Sequence, residues 1–170
     1  MKKITLKSIK LHEGLSQETP CYTATVYLDG KKIAYTENNG YGGSDNIHFV
    51  SEETKKSYFD YAKECGIDVE HSYSPYGELE VHCHDLVWKD LDSKKLKRML
   101  KNKILIQGDR KGEWATFGFS RDFIKKHGMD KIVSVYFQKL IDGDIKGIPS
   151  DRKMLNRMPF DKALECYTTL

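Results

Sequence analysis

Glu37-Asn38-Asn39-Gly40-Tyr41-Gly42-Gly43-Ser44-Asp45-Asn46 has the residue types of a binding loop rather than of a core. Glycine tolerates positive φ, and Asn and Asp turn the chain while bonding their own backbone. Successive N–H groups in such a turn form a concavity that holds an anion. Tyr41, set between glycines, offers a ring for stacking a nucleobase, worth roughly 1–3 kcal/mol per base. The loop lacks the Gly-Lys-Ser/Thr of a Walker loop and the strand–G-x-G-x-x-G–helix setting of a dinucleotide fold. The same residues equally suit a wide connection between two strands. The ligand contacts expected here are Asn39, Gly40, Tyr41, Gly42, Gly43 and Ser44, with His48 just beyond.

A second group lies far along the chain. Ser93-Lys94-Lys95-Leu96-Lys97-Arg98-Met99-Leu100-Lys101-Asn102-Lys103 carries six positive charges and no acidic residue. On a helix, Leu96, Met99 and Leu100 turn toward a core and leave Lys94, Lys95, Lys97, Arg98 and Lys101 in solvent. Such a face is either plainly solvated or contacts phosphates. For the second role Lys94, Lys97, Arg98 and Arg110 are the expected charge-neutralising residues, with Lys111, Arg121, Lys125 and Lys126 nearby in sequence.

Other chemistry is less well supplied. In Glu80-Val81-His82-Cys83-His84-Asp85 the two histidines would share a face on a strand and could hold a metal. The apolar spacing indicates a helix, on which they diverge by about 160°. A metal-dependent hydrolase would have to draw on Asp45, His48, His82 or His84. Ser44 precedes His48 by four residues, but no nucleophile elbow or orienting third group accompanies them. No catalytic residue, metal or cofactor is expected, and a binding role is favoured over an enzymatic one. The cysteines Cys21, Cys65, Cys83 and Cys166 lack C-x-x-C spacing and read as reduced, mostly buried thiols.

Composition agrees with a folded protein: hydrophobic residues make up 39% and charged residues 31% of the 170. The start is basic, but Lys7 and Lys10 leave no apolar run behind it, so no secretory leader is expected. Nor is any apolar stretch long enough to span a bilayer. The expected setting is the cytoplasm, away from membranes. The net charge of +3 conceals a division: residues 1–92 have 10 Lys/Arg against 16 Asp/Glu, residues 93–170 have 18 against 9. A split of this kind concerns partners rather than fold.

The elements that must carry these groups are readable. Ile4 and Leu6 alternate, then Ile9 and Leu11 on a shifted frame, which predicts a strand with a bulge or bend near Lys7-Ser8. Cys21 to Leu28 and Lys31 to Thr36, joined by Asp29-Gly30, form a hairpin. Ile47 to Val50 is a short strand. Ser51 caps a helix with Glu52 and Glu53 in its first turn, an apolar face of Tyr58, Phe59, Ala62 and Cys65, and a stop at Gly66. Residues 67–77 read as a loop, Leu79 to Leu91 as a helix, and Asp92-Ser93 as the cap of another. Two strands, Lys103 to Gln107 and Glu113 to Phe119, flank a turn at 108–112. Ser120 caps a short helix ended by Gly128, and Met129 to Asp142 forms a stronger one. One or two short helices close the chain. This order predicts a single α+β domain, mostly antiparallel sheet built from hairpins with helices packed on it.

The Leu15-Ser16-Gln17-Glu18-Thr19 run, the Tyr22–Lys32 hairpin, the Asn39-Gly40-Tyr41-Gly42-Gly43-Ser44 loop with His48, and Lys95-Leu96-Lys97-Arg98-Met99 resemble small proteins of phages and mobile elements of gut bacteria. In that group the loop reads Gly-His-Gly-Gly, so Tyr41 departs from it. The resemblance implies a phage-type accessory context, counter-defence included, and no particular activity. Together with the residues it predicts a protein that binds an anionic ligand: a nucleotide, a nucleotide-derived signal or nucleic acid. The alternative partner is a host protein, inhibited through the charged surface.

Overall fold

The computed structural model describes residues 3–67, 76–110 and 112–168. Positions 68–75 of the expected loop, and Lys111, lie outside the described residues. The fold class is α+β, with every strand pair antiparallel. The chain divides into two compact units, Met1–Trp88 and Lys89–Leu170.

The first unit opens with a four-stranded sheet in sequence order: β1 (Ile4–Leu11), β2 (Cys21–Leu28), β3 (Lys31–Asn39) and β4 (Asn46–Phe49). The bulge expected in β1 is present. Its register shifts between Lys7 and Lys10, and Ser8 adopts φ 55. The Asp29-Gly30 turn has positive φ at both residues, as a tight hairpin with right-handed strand twist requires. A second register shift, not anticipated, leaves Ile33 as an extra residue between the Tyr27–Lys32 and Val26–Ala34 pairs. It allows the successive residues Ile33 and Ala34 both to be buried, and then moves Thr36 and Asn38 onto the inner face.

α1 (Glu52–Glu64) begins with the predicted Ser51 cap, completed as a capping box with Thr54. Its Tyr58 and Ala62 join Ile4, Val26, Leu28, Ile33 and Ala34 in the core, and Leu79 and Cys83 complete it. Cys65, which the spacing assigns to this apolar face, is exposed instead. It is the C-cap residue and already leaves the helical stripe.

α2 (Gly77–Leu100) is one helix where the sequence predicts two. Neither Asp92 nor Ser93 is a breaker, and an Asp90–Lys94 ion pair of 2.7 Å, one helical turn long, spans the expected junction. The sequence reads as two helices because Asp92-Ser93 has the residue types of a helix cap. The division between the units falls within this helix.

The second unit contains the hairpin β5 (Lys103–Gln107) and β6 (Trp114–Gly118), then α3 (Arg121–His127), α4 (Met129–Ile141) and α5 (Phe160–Thr168). Ile104, Leu105 and Ile106 are all fully buried, so both faces of β5 are covered. Ile104 and Ile106 pack with Ile132, Val133 and Leu140 of α4. Leu105 packs with Leu96, Leu155, Ala163 and Leu164. Asn156 occupies the free edge of β5: its side chain accepts from Leu105 N and donates to Lys103 O, both at 2.9 Å. Among the described residues no helix is long and apolar enough to cross a membrane.

Candidate functional site

Asn38, which the sequence places in an open loop, is the inward-facing end of β3 and is buried. Its Oδ1 accepts from Thr19 Oγ1 and from Gly40 N, both at 2.8 Å. Its Nδ2 donates to Gly43 O and to Asp45 Oδ1, both at 2.9 Å. Every bonding position of the amide is thereby used. Asp45, also buried, accepts a further short bond from the Tyr22 hydroxyl, which stands 3.4 Å from Thr36 Oγ1. Residues 40–45 are therefore strapped to the inner face of the sheet by a polar network.

This geometry gives the glycines a different task from an anion cradle. The N–H of Gly40 is taken by Asn38 and that of Gly42 by Thr19 Oγ1 at 3.3 Å. The carbonyl of Gly40 receives three N–H groups, from Gln17 and Glu18 at 3.0 Å and from Thr19 at 3.4 Å. A Cβ on Gly42 would lie 2.3 Å from Glu18 Oε2, so a carboxylate already sits against it. The concavity beside the loop is lined by Thr19, Gly42, Gly43, Ser44, Asp45, Glu80, Val81 and His84. Its acidic side chains oppose an anion. Tyr41 is 65% exposed, and Asn39 and Ser44 are exposed beside it. His48 is on β4 and lies 3.6 Å from the Glu37 carboxylate. His82 and His84 are on α2, as the spacing predicts. His84 Nε2 accepts from Trp88 Nε1 at 2.7 Å. Among the described residues no three His, Cys, Asp or Glu side chains gather as a metal site would need.

Burial acts on the ionisable members of this unit. It pushes the Cys83 thiol from 9.0 up to about 12, reinforced by the Asp45 charge. It pushes the Tyr58 phenol to about 12, and it raises the Tyr22 phenol strongly, with the bond to Asp45 adding to the effect. Groups whose folded pKa is raised stabilise the fold below their ordinary pKa and lose that contribution as pH rises. Stability should thus hold to about pH 9 and then fall. Tyr22→Phe should cost about 1–2 kcal/mol at neutral pH, because Asp45 loses a donor, and should make the alkaline loss shallower. Urea midpoints at about pH 7 and about pH 10.5 measure both effects; parallel losses in the two proteins contradict this assignment.

The basic residues belong to the second unit. Charge divides where the units divide: Met1–Trp88 holds 9 Lys/Arg against 14 Asp/Glu, and Lys89–Leu170 holds 19 against 11. On α2, Lys94, Lys97, Arg98 and Lys101 follow i, i+3, i+4, i+7 and form one row opposite the buried Leu96. Lys94 is partly neutralised by Asp90, an acid the run from Ser93 to Lys103 does not include. Among the described residues, Lys97, Arg98 and Lys101 have no carboxylate within 4.0 Å. The Lys97 ammonium lies 4.9 Å from the centre of the Phe160 ring of α5. Arg110 is exposed on the β5–β6 turn, where its backbone bonds Glu113.

Comparison of the chain with family models, with curated proteins and with solved structures returned no match.

Proposed function

We propose that the protein binds a polyanion, nucleic acid being the natural candidate, through the exposed cations of its second unit. The observation that carries this reading is the row Lys97, Arg98 and Lys101, without carboxylate partners among the described residues, on a unit with a charge excess of eight (19 Lys/Arg against 11 Asp/Glu). A helix with ammonium and guanidinium groups one turn apart can meet successive phosphates, and the release of their counterions drives association. Support for an extended ligand rather than a single nucleotide comes from the glycine loop. The N–H groups of Gly40 and Gly42 are committed internally, and the concavity beside them is acidic. Arg110 adds charge to the same unit, and Lys94 contributes less because of Asp90.

The test is a titration of labelled oligonucleotide by the full chain across a range of salt. Each phosphate contact adds about 0.7 to the slope of log affinity against log salt for single strands. Three to five contacts give a slope of about −2 to −4. Absence of binding at about 50 mM salt, or an affinity indifferent to salt, contradicts the reading.

A further inference from the structure

We propose that the groove between α3 and α4 receives an unpaired base of a single-stranded nucleic acid, an inference that rests on the polyanion reading above. The groove is lined by Phe123, His127, Lys131, Ile132, Val135 and Tyr136. Phe123 is 44% and Val135 46% exposed, so the apolar lining of the groove is open to solvent. Phe123 continues an aromatic series that begins at Phe117 of β6. Phe117 lies 5.3 Å from Tyr136, which meets Phe119 edge-on at 5.4 Å. Phe119 stacks on Phe123 at 5.8 Å and 17°, and Phe123 lies 4.5 Å from the His127 ring. Phe123 thus stands in contact with other rings while 44% of it stays open to an incoming ring.

The charge of the two helices that form the groove selects the occupant. Lys131 is on its wall, and Arg121, Lys125 and Lys126 are on α3. Asp122 and Asp130 are the carboxylates of that stretch, so cations exceed acids. Among the described residues none of these four cations has a carboxylate within 4.0 Å. An apolar slot with Lys131 on its wall, in a stretch where cations exceed acids, matches a planar base attached to a phosphate chain. A duplex satisfies only half of this match, since its bases are already stacked and paired. The groove would therefore discriminate strands by the availability of base faces, and the α2 row would not.

The full chain is titrated with a strand of about twelve thymidines, an abasic strand of the same length, and a duplex of equal phosphate number. The thymidine strand should bind about tenfold more tightly than the abasic strand, as one stacked base supplies. Phe123→Ala should remove that difference while leaving the abasic affinity and the salt slope in place. Phe123→Trp should keep the difference and show quenched indole emission on binding. Phe123 is part-exposed, and a thermal melt establishes that each variant is folded. Equal affinity for thymidine and abasic strands, or a preference that persists in Phe123→Ala, overturns the inference. If all three ligands bind alike with steep salt dependence, the phosphate reading stands and the base site falls. If none binds, both fall.

Discussion

Reversing Lys97, Arg98 and Lys101 to Glu together should weaken single-strand binding about 100-fold at low salt and flatten its salt dependence. Three phosphate contacts are lost, and three carboxylates then face the strand. The fold should tolerate the change. All three side chains are exposed, while Leu96 keeps its buried position, so stability should move by no more than about 0.5 kcal/mol. The control is Lys31→Glu, Lys56→Glu and Lys63→Glu in the first unit, which changes net charge by the same amount. It should leave affinity within about threefold at moderate salt, where the Debye length is near 10 Å. Equal weakening by both sets would show that net charge alone governs association, and that the row on α2 has no particular part.

Gly40→Ala should destabilise the first unit by about 3 kcal/mol, with Gly43→Ala nearly neutral. Gly40 has φ 86, and a Cβ there would stand 2.5 Å from Leu15 O and 2.9 Å from Cys21 Cβ. The first obstruction is backbone and cannot rotate aside. Moving Gly40 away would loosen its carbonyl from the three N–H groups of residues 17–19. Gly43 has open space at its Cβ position and no left-handed φ. Denaturant melts measure the contrast. Oligonucleotide affinity of Gly43→Ala should match that of the parent, since the loop's role is architectural. Equal destabilisation by the two substitutions contradicts the close-packing account; lost affinity in Gly43→Ala returns the loop to the binding site.

Much of this architecture is legible in the sequence because it depends on local chemistry. Asp29-Gly30 sets the hairpin turn, Ser51 and Ser120 set helix starts, and the shifted alternation after Leu6 announces the bulge at Ser8. What depends on tertiary partners is not legible. Asn38 looks like a loop residue, and only the bulge at Ile33, which shifts the frame of β3, turns it inward. The Asn-x-Gly spacing from Asn38 to Gly40 does hold a signal: an Asn side chain accepting from the N–H two residues on is a local turn. The glycines do permit close approach, but what approaches them is the 15–19 segment of the chain itself. For α2 the Asp92-Ser93 pair suggests a cap, but neither residue forces a break and the helix runs through. The exposed row is visible in the spacing of Lys94, Lys97, Arg98 and Lys101. The aromatic groove is not, because its rings come from two helices, Phe123 and His127 of α3 and Tyr136 of α4.

Lysine-acetylation footprinting of the full chain, with and without a single-stranded oligonucleotide, tests the central claim most directly. Protection is predicted at Lys97 and Lys101 on α2 and at Lys131 beside the groove, with Lys31, Lys56 and Lys63 modified at unchanged rates. Protection confined to the first unit, or a bound strand that leaves Lys97 and Lys101 as reactive as before, would contradict the assignment of the second unit as the binding surface.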